Sequence, residues 1–346
     1  VTQVIDKCSE VYGQWNYSFY RGLRVRINPQ YLPAVARLYD VSWIEPYKTP
    51  EMLDEVSSEI VGGNWTGAGS WVNNLGFDGS GVLISVADTG IDDGNSATMH
   101  PDLGGRVNAF IDYTETYSAD GIGEDKIGHG THCAGIIAGN GASGRIDSNG
   151  YLWGMGAAPN AELIDQRIFD DAGYWYGPTN QELVTDAVVN GAVIGSNSWG
   201  MSTGGQYTSN DAEFDALVRD ADPNILGNQE YILVFAAGND GPTVGSIGSP
   251  GNAKNVITVG ASENYRPSES ADANDPDEIA EFSSRGPTDD GRIKPDITAP
   301  GTWIASALSS SATPGWASGG YGGNIDDLYE YCSGTSMACP TVAGGA

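Results

Sequence analysis

The chain has 346 residues, of which 40% are hydrophobic and 49 are glycine, a composition typical of a loop-rich globular protein with one large domain and a small one. Its 16 basic residues stand against 45 acidic ones, for a net charge of −29, which argues against nucleic acids and anionic membranes as partners. No run of eighteen apolar residues occurs, and no signal peptide stands at the amino terminus. We therefore expect no membrane span and interpret the chain as an internal part of a longer precursor.

The charge is unevenly distributed. Residues 1–60 carry a net charge of −2, whereas residues 61–346 carry −27. One interpretation is solubility in an extracellular or salty medium. The other is calcium binding, together with a less acidic segment that docks on an acidic body.

The amino-terminal elements predict a small α+β unit. Residues 23–27 alternate apolar and charged side chains, as a half-buried strand does. Residues 28–40 predict a short helix capped by Asn28, and residues 41–47 a second strand. This core is too small to stand alone, and a mixed, then Gly- and Asn-rich stretch follows it.

From residue 82 onwards strands and helices alternate. This alternation predicts an α/β fold, a parallel sheet with helices on both faces. Ligands bind at the carboxyl ends of strands in such sheets, and three predicted strands end in polar stretches, at Asp88, Ser198–Gly200 and Asn239. The predicted strands are 82–91, 161–169, 192–200, 231–240 and 255–262, and the predicted helices are 129–140, 180–191 and 210–221.

Asp88 and a pair of histidines are the first candidates for chemistry. A carboxylate at the end of an apolar strand is costly to bury unless it is paired, so Asp88 either caps a turn or has a charged partner. His129 is a candidate general base if a carboxylate orients it. Zinc binding by His129, His132 and Cys133 is the competing chemistry, although three such ligands on one short helix do not readily surround a tetrahedral ion. His132 alone is best interpreted as a buried histidine satisfied by hydrogen bonds.

Asn239 and Ser336 complete the candidate set. Asn239 either forms a turn or donates to a developing oxyanion. Ser336 precedes a run of small residues that predicts a helix, with Pro340 in its first turn. It is either an ordinary helix cap or a nucleophile at a helix end that stabilises negative charge.

These four residues occur within sequence blocks that resemble those of subtilisin-like serine peptidases, and the chain looks most like the larger, oxidatively stable alkaline members. The resemblance runs from about residue 58 to residue 346. Its blocks are VADTGID, GHGTHCAG, SNSWG, AAGNDG and GTSMACP, with two longer ones, GSIGSPGNAKNVITVGASE and AEFSSRGPTDDGRIKPDITAPGTWI.

The resemblance implies a role for each residue. Ser336 attacks the peptide carbonyl, His129 acts as general base and then acid, and Asp88 orients His129. Asn239 and the backbone N–H of Ser336 hold the oxyanion, and an acyl-enzyme forms. The substrate-binding residues would be Gly177, Ser198, Trp199, Gly200, Ala237 and Gly238, with a broad preference for apolar or aromatic residues before the scissile bond.

The resemblance also implies a precursor. Residues 1–55 would be the last part of a propeptide that inhibits the enzyme, and residues 56–346 a catalytic domain truncated at its carboxyl end. We expect a secreted monomer acting on proteins or peptides, with its own propeptide as intramolecular inhibitor and no cofactor in the chemistry. Calcium, which is common in this family, would be structural, in the acidic loops 91–95, 119–126 or 269–278.

The cysteines depart from the family pattern. Members more often carry Val at the position of Cys133 and Thr at that of Cys339. If the helices of His129 and Ser336 pack together, these cysteines either form a disulfide or fill tight contacts as thiols.

Two other functions compete with the peptidase. One is a non-catalytic binding or inhibitory protein with the same fold, against which the intact set of four residues argues. The other is a zinc hydrolase that uses His129 and His132.

Overall fold

The computed structural model describes residues 2–16, 21–45, 51–52, 60, 77–114, 123–147, 151–312 and 323–346. Contacts divide the chain into two units, Val1–Thr49 and Pro50–Ala346. Nothing in the described part of the chain is a helix long and apolar enough to cross a membrane.

The first unit is built on a β-hairpin. It contains helix α1 (Thr2–Ile5), strands β1 (Cys8–Asn16) and β2 (Arg21–Ile27), a 3₁₀ turn (Pro29–Tyr31) and helix α2 (Leu32–Val35). Strands β1 and β2 pair antiparallel.

Two predictions for this unit need correction. The predicted helix 28–40 is only the 3₁₀ turn and one helical turn, although Asn28 caps it by accepting from the Gln30 N–H at 3.1 Å. The predicted strand 41–47 is wrong over residues 41–45, which are irregular, and residues 46 and 47 lie outside the described chain. Trp43 and Ile44 are exposed there, so the apolar alternation is not buried against a sheet.

The second unit is organised by a seven-stranded sheet, all of whose strand pairs are parallel. Its spatial order is β11-β10-β9-β7-β4-β6-β5. The α/β fold predicted from the alternation of elements is therefore confirmed. The strands are β4 (Leu83–Asp88), β5 (Val107–Asp112), β6 (Glu162–Arg167), β7 (Ile194–Asn197), β9 (Ile232–Ala236), β10 (Ile257–Ser262) and β11 (Ile297–Pro300).

Helices cover both faces of this sheet. Helices α3 (His129–Ala138) and α6 (Thr335–Gly345) bury small side chains against one face. Helices α4 (Asn180–Val189) and α5 (Ser209–Leu217) pack against the other, and each begins with a capping box, at Thr179 and Thr208. The core thus lies in two layers, one on each side of the sheet.

Short strands complete the second unit. Strands β12 (Ile304–Ala307), β13 (Gly323–Asn324) and β14 (Tyr329–Cys332) form an antiparallel sheet. Strand β3 (Glu51–Met52) pairs antiparallel with β8 (Trp199–Gly200), which directly follows β7.

Candidate active site

Three neighbouring strands of the sheet, β4, β7 and β9, deliver the predicted polar residues to one edge. Asp88 is the last residue of β4, and Ser198 and Asn239 follow β7 and β9. Since all the strands are parallel, their carboxyl ends meet at this edge. The parallel topology therefore brings Asp88, Ser198 and Asn239 to the same edge of the sheet.

Asp88 and His129 form a buried hydrogen-bonded pair. The Nδ1 atom of His129 lies 2.6 Å from the Asp88 Oδ1, and the two side chains are 1% exposed or less. His129 is the first residue of α3, and a Cβ on the next residue, Gly130, would overlap the carbonyl oxygen of Gly90. Only glycine therefore lets the start of α3 approach the end of β4 closely enough for this hydrogen bond.

Charge and burial act in opposite directions on the His129 imidazole. Burial lowers its pKa, but the negative charge of Asp88 and the hydrogen bonds to Asp88 and Cys133 outweigh this and hold the pKa well above its ordinary value. Burial lowers the pKa of His132 to about 3, and the charge of His129 acts in the same direction. The Nε2 of His132 faces the carbonyl of Glu330 on β14 at 3.3 Å, so it is a neutral buried histidine, as predicted.

Ser336 is the second residue of α6 and is fully buried. Its hydroxyl donates to the carbonyl of Ser198 at 2.8 Å, and the Ser198 hydroxyl donates to the carbonyl of Ser336 at 2.5 Å. The nucleophile candidate is thus tied to the end of β7 through both its side chain and its backbone.

Pro340 explains why the Ser336 carbonyl is available for this contact. The sequence predicted Pro340 in the first helical turn, but α6 begins at Thr335, so Pro340 lies inside the helix. A residue four positions after Ser336 would normally donate its N–H to the Ser336 carbonyl, and proline has none. The hydroxyl of Ser198 and the thiol of Cys133, at 3.5 Å, donate in its place.

Cys133 and Cys339 are not joined in a disulfide. Cys133 donates to the carbonyl of Ser336 on α6, whereas Cys339 donates to the carbonyl of Asn197 on β7. Each thiol is directed towards a different backbone acceptor, and burial raises their pKa values to about 11 and about 12. The thiols therefore fill helix contacts, the alternative to the disulfide considered above.

Asn239 is held by a residue that the sequence did not single out. Its Oδ1 accepts from both the backbone N–H and the hydroxyl of Thr335, each at 2.9 Å. The Thr335 hydroxyl also accepts from the N–H of Gly238 at 3.2 Å. With the amide oxygen fixed by two donors, the NH₂ group is the end of the side chain left to donate to a substrate oxygen. The GTS triplet at the start of α6 was the only sequence signal for Thr335.

The predicted peptide-binding edge carries a paired strand. In β8, Gly200 pairs with Glu51 and Trp199 pairs with Met52. The Trp199 side chain is buried away from this pairing, among aromatic rings at centroid distances of 4.9–6.1 Å. These rings, Trp175, Phe214 and Phe235, give the edge a rigid support.

The remaining predicted substrate-binding residues lie near this edge. Ala237 is buried and donates to Val259 on β10. Gly238 has a φ of 108°, and a Cβ on it would crowd the Ser284 hydroxyl. A Cβ on Gly177 would crowd the indole of Trp175. Glycine is thus required at both positions for backbone shape or for room.

The zinc alternative does not match the geometry. Of the described residues, only Asp88, His129 and Cys133 bring candidate ligand atoms within 4.8 Å of one another, and His132 is not in this group. The Nδ1 of His129 is engaged with Asp88. The arrangement fits an oriented imidazole and not the predicted pair of histidine ligands.

Among the described residues of the acidic loops proposed for calcium, no three side-chain ligand atoms lie within 4.8 Å of one another. In loop 91–95, both carboxylate oxygens of Asp92 accept backbone N–H groups, from His100 and Ser310. Asp93 accepts from Asn95 and Thr98. Residues 119–122 of the second loop lie outside the described chain, and in loop 269–278 the Asp275 carboxylate accepts from the N–H of Asp277.

Comparison with known proteins identifies the family. The profile of the subtilase family matches residues 79–346. The chain belongs to the subtilase family. Residues 79–346 include the whole seven-stranded sheet, so the family match and the fold cover the same part of the chain.

Several subtilases of known name are similar to this chain. Serine protease AprX of Bacillus subtilis (strain 168) is 35% identical over 288 residues, 79% of this chain and 57% of AprX. Subtilisin of Bacillus sp. (strain TA39) is 32% identical over 279 residues, 77% of this chain and 56% of that protein. Thermitase of Thermoactinomyces vulgaris is 32% identical over 269 residues, 78% of this chain and 75% of thermitase. The chain thus spans just over half the length of the first two relatives.

Proposed function

We propose that this subtilase is a serine endopeptidase with Ser336 as nucleophile, His129 as general base and Asp88 as the residue that orients it. The observation that carries the proposal is the buried hydrogen bond of 2.6 Å between Asp88 and His129, at the sheet edge where Ser336 lies in the first turn of α6. A carboxylate that fixes the imidazole tautomer and favours the imidazolium is what attack by a serine hydroxyl requires. The names of the relatives, serine protease, subtilisin and thermitase, support the same reaction class.

The reaction would begin with a rotation of the Ser336 hydroxyl. In the structure this hydroxyl donates to the Ser198 carbonyl, so it must turn towards the Nε2 of His129 to lose its proton. Attack on the peptide carbonyl forms a tetrahedral oxyanion, and the imidazolium protonates the leaving amine as the C–N bond breaks, which leaves the acyl-enzyme. Water then attacks the acyl-enzyme, with His129 again acting as base and then as acid, and the carboxylic acid product is released.

The Asn239 amide and the N–H of Ser336 would stabilise the oxyanion. The Asn239 amide is oriented by Thr335 before substrate arrives, so its donation costs no reorganisation during the reaction. The start of α6 adds the positive end of a helix dipole. No metal or cofactor takes part in this chemistry, and calcium, when bound, has a structural role.

The substrate would be an extended peptide that adds a strand to β8. The pairing of Glu51–Met52 with Trp199–Gly200 supports this, because a segment of the chain already occupies the edge in that manner. It also supports the precursor interpretation, in which the amino-terminal segment is an intramolecular inhibitor. Ala237 and Gly238 would line the pocket before the scissile bond, and the small, uncharged lining favours apolar or aromatic side chains.

The proposal includes the location and the state of assembly: a secreted monomer that acts on proteins or peptides. The net charge of −29 supports this, since a strongly acidic surface keeps a protein soluble and separate from polyanions.

A peptidase assay tests this function. The protein is incubated with a neutral peptide p-nitroanilide that has Phe or Leu before the scissile bond, alongside Ser336→Ala and with or without a zinc chelator. We expect hydrolysis by the wild-type protein, none by Ser336→Ala, and no loss when zinc is removed. Equal hydrolysis by the two proteins would contradict the role of Ser336, and loss caused by zinc chelation would favour the metallohydrolase.

A further inference from the structure

Asp125, outside the predicted catalytic set, has a fully buried carboxylate that accepts five hydrogen bonds. It lies in the loop before α3, three residues ahead of the helix cap Gly128. Both carboxylate oxygens are used. Oδ1 accepts from the Thr89 hydroxyl at 2.8 Å, the Ile127 N–H at 3.2 Å and the Gly128 N–H at 2.7 Å, and Oδ2 accepts from the Thr131 N–H at 2.8 Å and hydroxyl at 2.6 Å.

These donors flank the two members of the catalytic pair. Thr89 directly follows Asp88 in the chain, and Gly128 directly precedes His129. A single carboxylate therefore joins the end of β4 to the start of α3 at the positions next to the reacting side chains.

Asp125 also replaces the missing cap of α3. The cap residue Gly128 has no side chain to accept the first N–H groups of the helix. The Asp125 carboxylate accepts the N–H of Gly128 and that of Thr131, the third helical residue. An anion at this end also interacts favourably with the helix dipole.

The hydroxyl groups of Thr89 and Thr131 add further hydrogen bonds between α3 and the end of β4. The Thr89 hydroxyl donates to Asp125 and accepts from the N–H of Gly130 in the helix at 2.9 Å. The Thr131 hydroxyl donates to Asp125 and accepts from the N–H of Asp92 beyond the strand at 2.8 Å. The helix and the strand end are thus cross-linked twice, and both cross-links end on the same carboxylate.

The surroundings of Asp125 explain how a charge is held there. Burial raises the pKa of Asp125 above its ordinary value, and the hydrogen bonds from Thr131, Gly128 and Thr89 offset part of this effect. All five groups that contact the carboxylate are hydrogen-bond donors. A proton on either carboxylate oxygen would therefore compete with a donor already present. The arrangement is built for the carboxylate form.

We propose that Asp125 is a positioning residue for peptide hydrolysis, which sets the distance and angle between Asp88 and His129 by fixing the start of α3 to the end of β4. The proposal rests on the function proposed above. Rates of catalysis by oriented groups are sensitive to displacements of about 1 Å, which can cost on the order of 100-fold. A residue that acts only on folding would change stability without changing turnover by correctly folded molecules.

The test compares Asp125→Asn and Thr89→Val with the control Asp78→Asn. Asparagine keeps the shape of Asp125 but presents an amide to N–H donors, and valine keeps the shape of Thr89 but removes the link to Asp125. Asp78, which precedes β4, also accepts hydrogen bonds, from Ser80 and Asn160, and neither partner adjoins the pair. Active sites are counted with a fluorophosphonate, and kcat and KM are measured per labelled site across pH.

For Asp125→Asn we expect kcat per labelled site to fall about 10- to 100-fold, with KM changed less than about twofold. The acidic limb of the kcat/KM profile should move to lower pH, because a looser contact with Asp88 raises the pKa of His129 less. Thr89→Val should show a smaller change in the same direction, and Asp78→Asn none.

Unchanged kcat and an unchanged acidic limb in Asp125→Asn, whatever its melting temperature, would overturn the proposal. If Asp125→Asn does not fold, as judged by circular dichroism, Thr89→Val decides on the same two criteria. A wild-type protein that neither hydrolyses peptide nor takes up the fluorophosphonate would instead end the proposed function itself.

Discussion

At the residue scale, the contact between Asp88 and His129 has a direct consequence for the pH dependence of activity. The general base must be neutral to accept the Ser336 proton, and the charge of Asp88 holds the pKa of His129 well above its ordinary value of 6.5. Activity should therefore be lost as pH falls through that raised pKa, and kcat/KM should rise with pH across a limb above 6.5.

The Asp88→Asn variant checks the cause of this limb. Removal of the negative charge should move the limb to lower pH while kcat falls, since asparagine no longer stabilises the imidazolium. The profile of kcat/KM is recorded for both proteins with a neutral peptide. A wild-type limb at or below 6.5, or one that does not respond to Asp88→Asn, would contradict this account.

Thr335 gives a second prediction at this scale. It supplies both hydrogen bonds to the Asn239 amide oxygen, one of them through its hydroxyl. Thr335→Val removes the hydroxyl donor and should lower kcat roughly 10-fold with little effect on KM, because the amide is then less well oriented towards the developing oxyanion. Thr335→Ser, which keeps the hydroxyl, is the matched control. Equal kcat for the Val and Ser variants would argue against this role.

Asp165 on β6 is a buried carboxyl group outside the catalytic set, and neither of its oxygens has a hydrogen-bond partner among the residues that the structure describes. Burial, with the charges of Asp125, Asp112 and Asp88, raises its pKa well above the ordinary value against the opposing effect of Arg167. The folded state therefore holds a proton that the unfolded state releases at about pH 4. As pH rises above that value, unfolding is coupled to proton release, so stability falls until the raised pKa is passed.

Asp165→Asn removes this coupling. The variant should gain stability relative to the wild-type protein as pH increases, by at most about 1.4 kcal/mol per pH unit, measured as the free energy of unfolding in urea across pH. Asp78 is the control, because hydrogen bonds from Ser80 and Asn160 lower its pKa to about 2. Asp78→Asn should therefore show no such gain. A constant difference between Asp165→Asn and wild type at all pH values would contradict the interpretation of Asp165.

At the scale of elements, the site depends on how closely α3 approaches β4. Gly130→Ala should destabilise the fold by about 1–3 kcal/mol and lower kcat, since the added Cβ would overlap the carbonyl of Gly90. Gly104→Ala is the control, because its added Cβ would meet its nearest neighbour at 3.8 Å. Melting temperature and kcat are compared for the two variants, and equal values for both would show that the close approach has no role.

The sequence predicted elements well where their pattern is local and missed those that depend on distant partners. The helix at His129 and the strand at Asp88 were found because glycines and an apolar run mark them. Strand β3 has two residues, and only its pairing with β8 defines it. The opposite error occurred at residues 41–45, where an apolar alternation is present but the chain is irregular.

Among site residues, the same distinction holds. Asp88, His129, Asn239 and Ser336 stand in distinctive blocks, whereas Asp125 is one acidic residue in a loop with many. Its importance lies in five donors that come from three separate segments, which no local pattern reveals.

At the scale of the whole molecule, the fold and the family match agree over residues 79–346. The central claim is that this fold delivers Ser336 to His129 as an activated nucleophile. A plain serine hydroxyl reacts poorly with a fluorophosphonate, so reaction reports activation by the base.

The most direct measurement is therefore fluorophosphonate labelling of the protein followed by mass-spectrometric mapping of the adduct. We expect one adduct per chain, on the peptide that contains Ser336, and its loss in His129→Ala although Ser336 is retained. An adduct at another residue, no adduct on the folded wild-type protein, or undiminished labelling of His129→Ala would contradict the account.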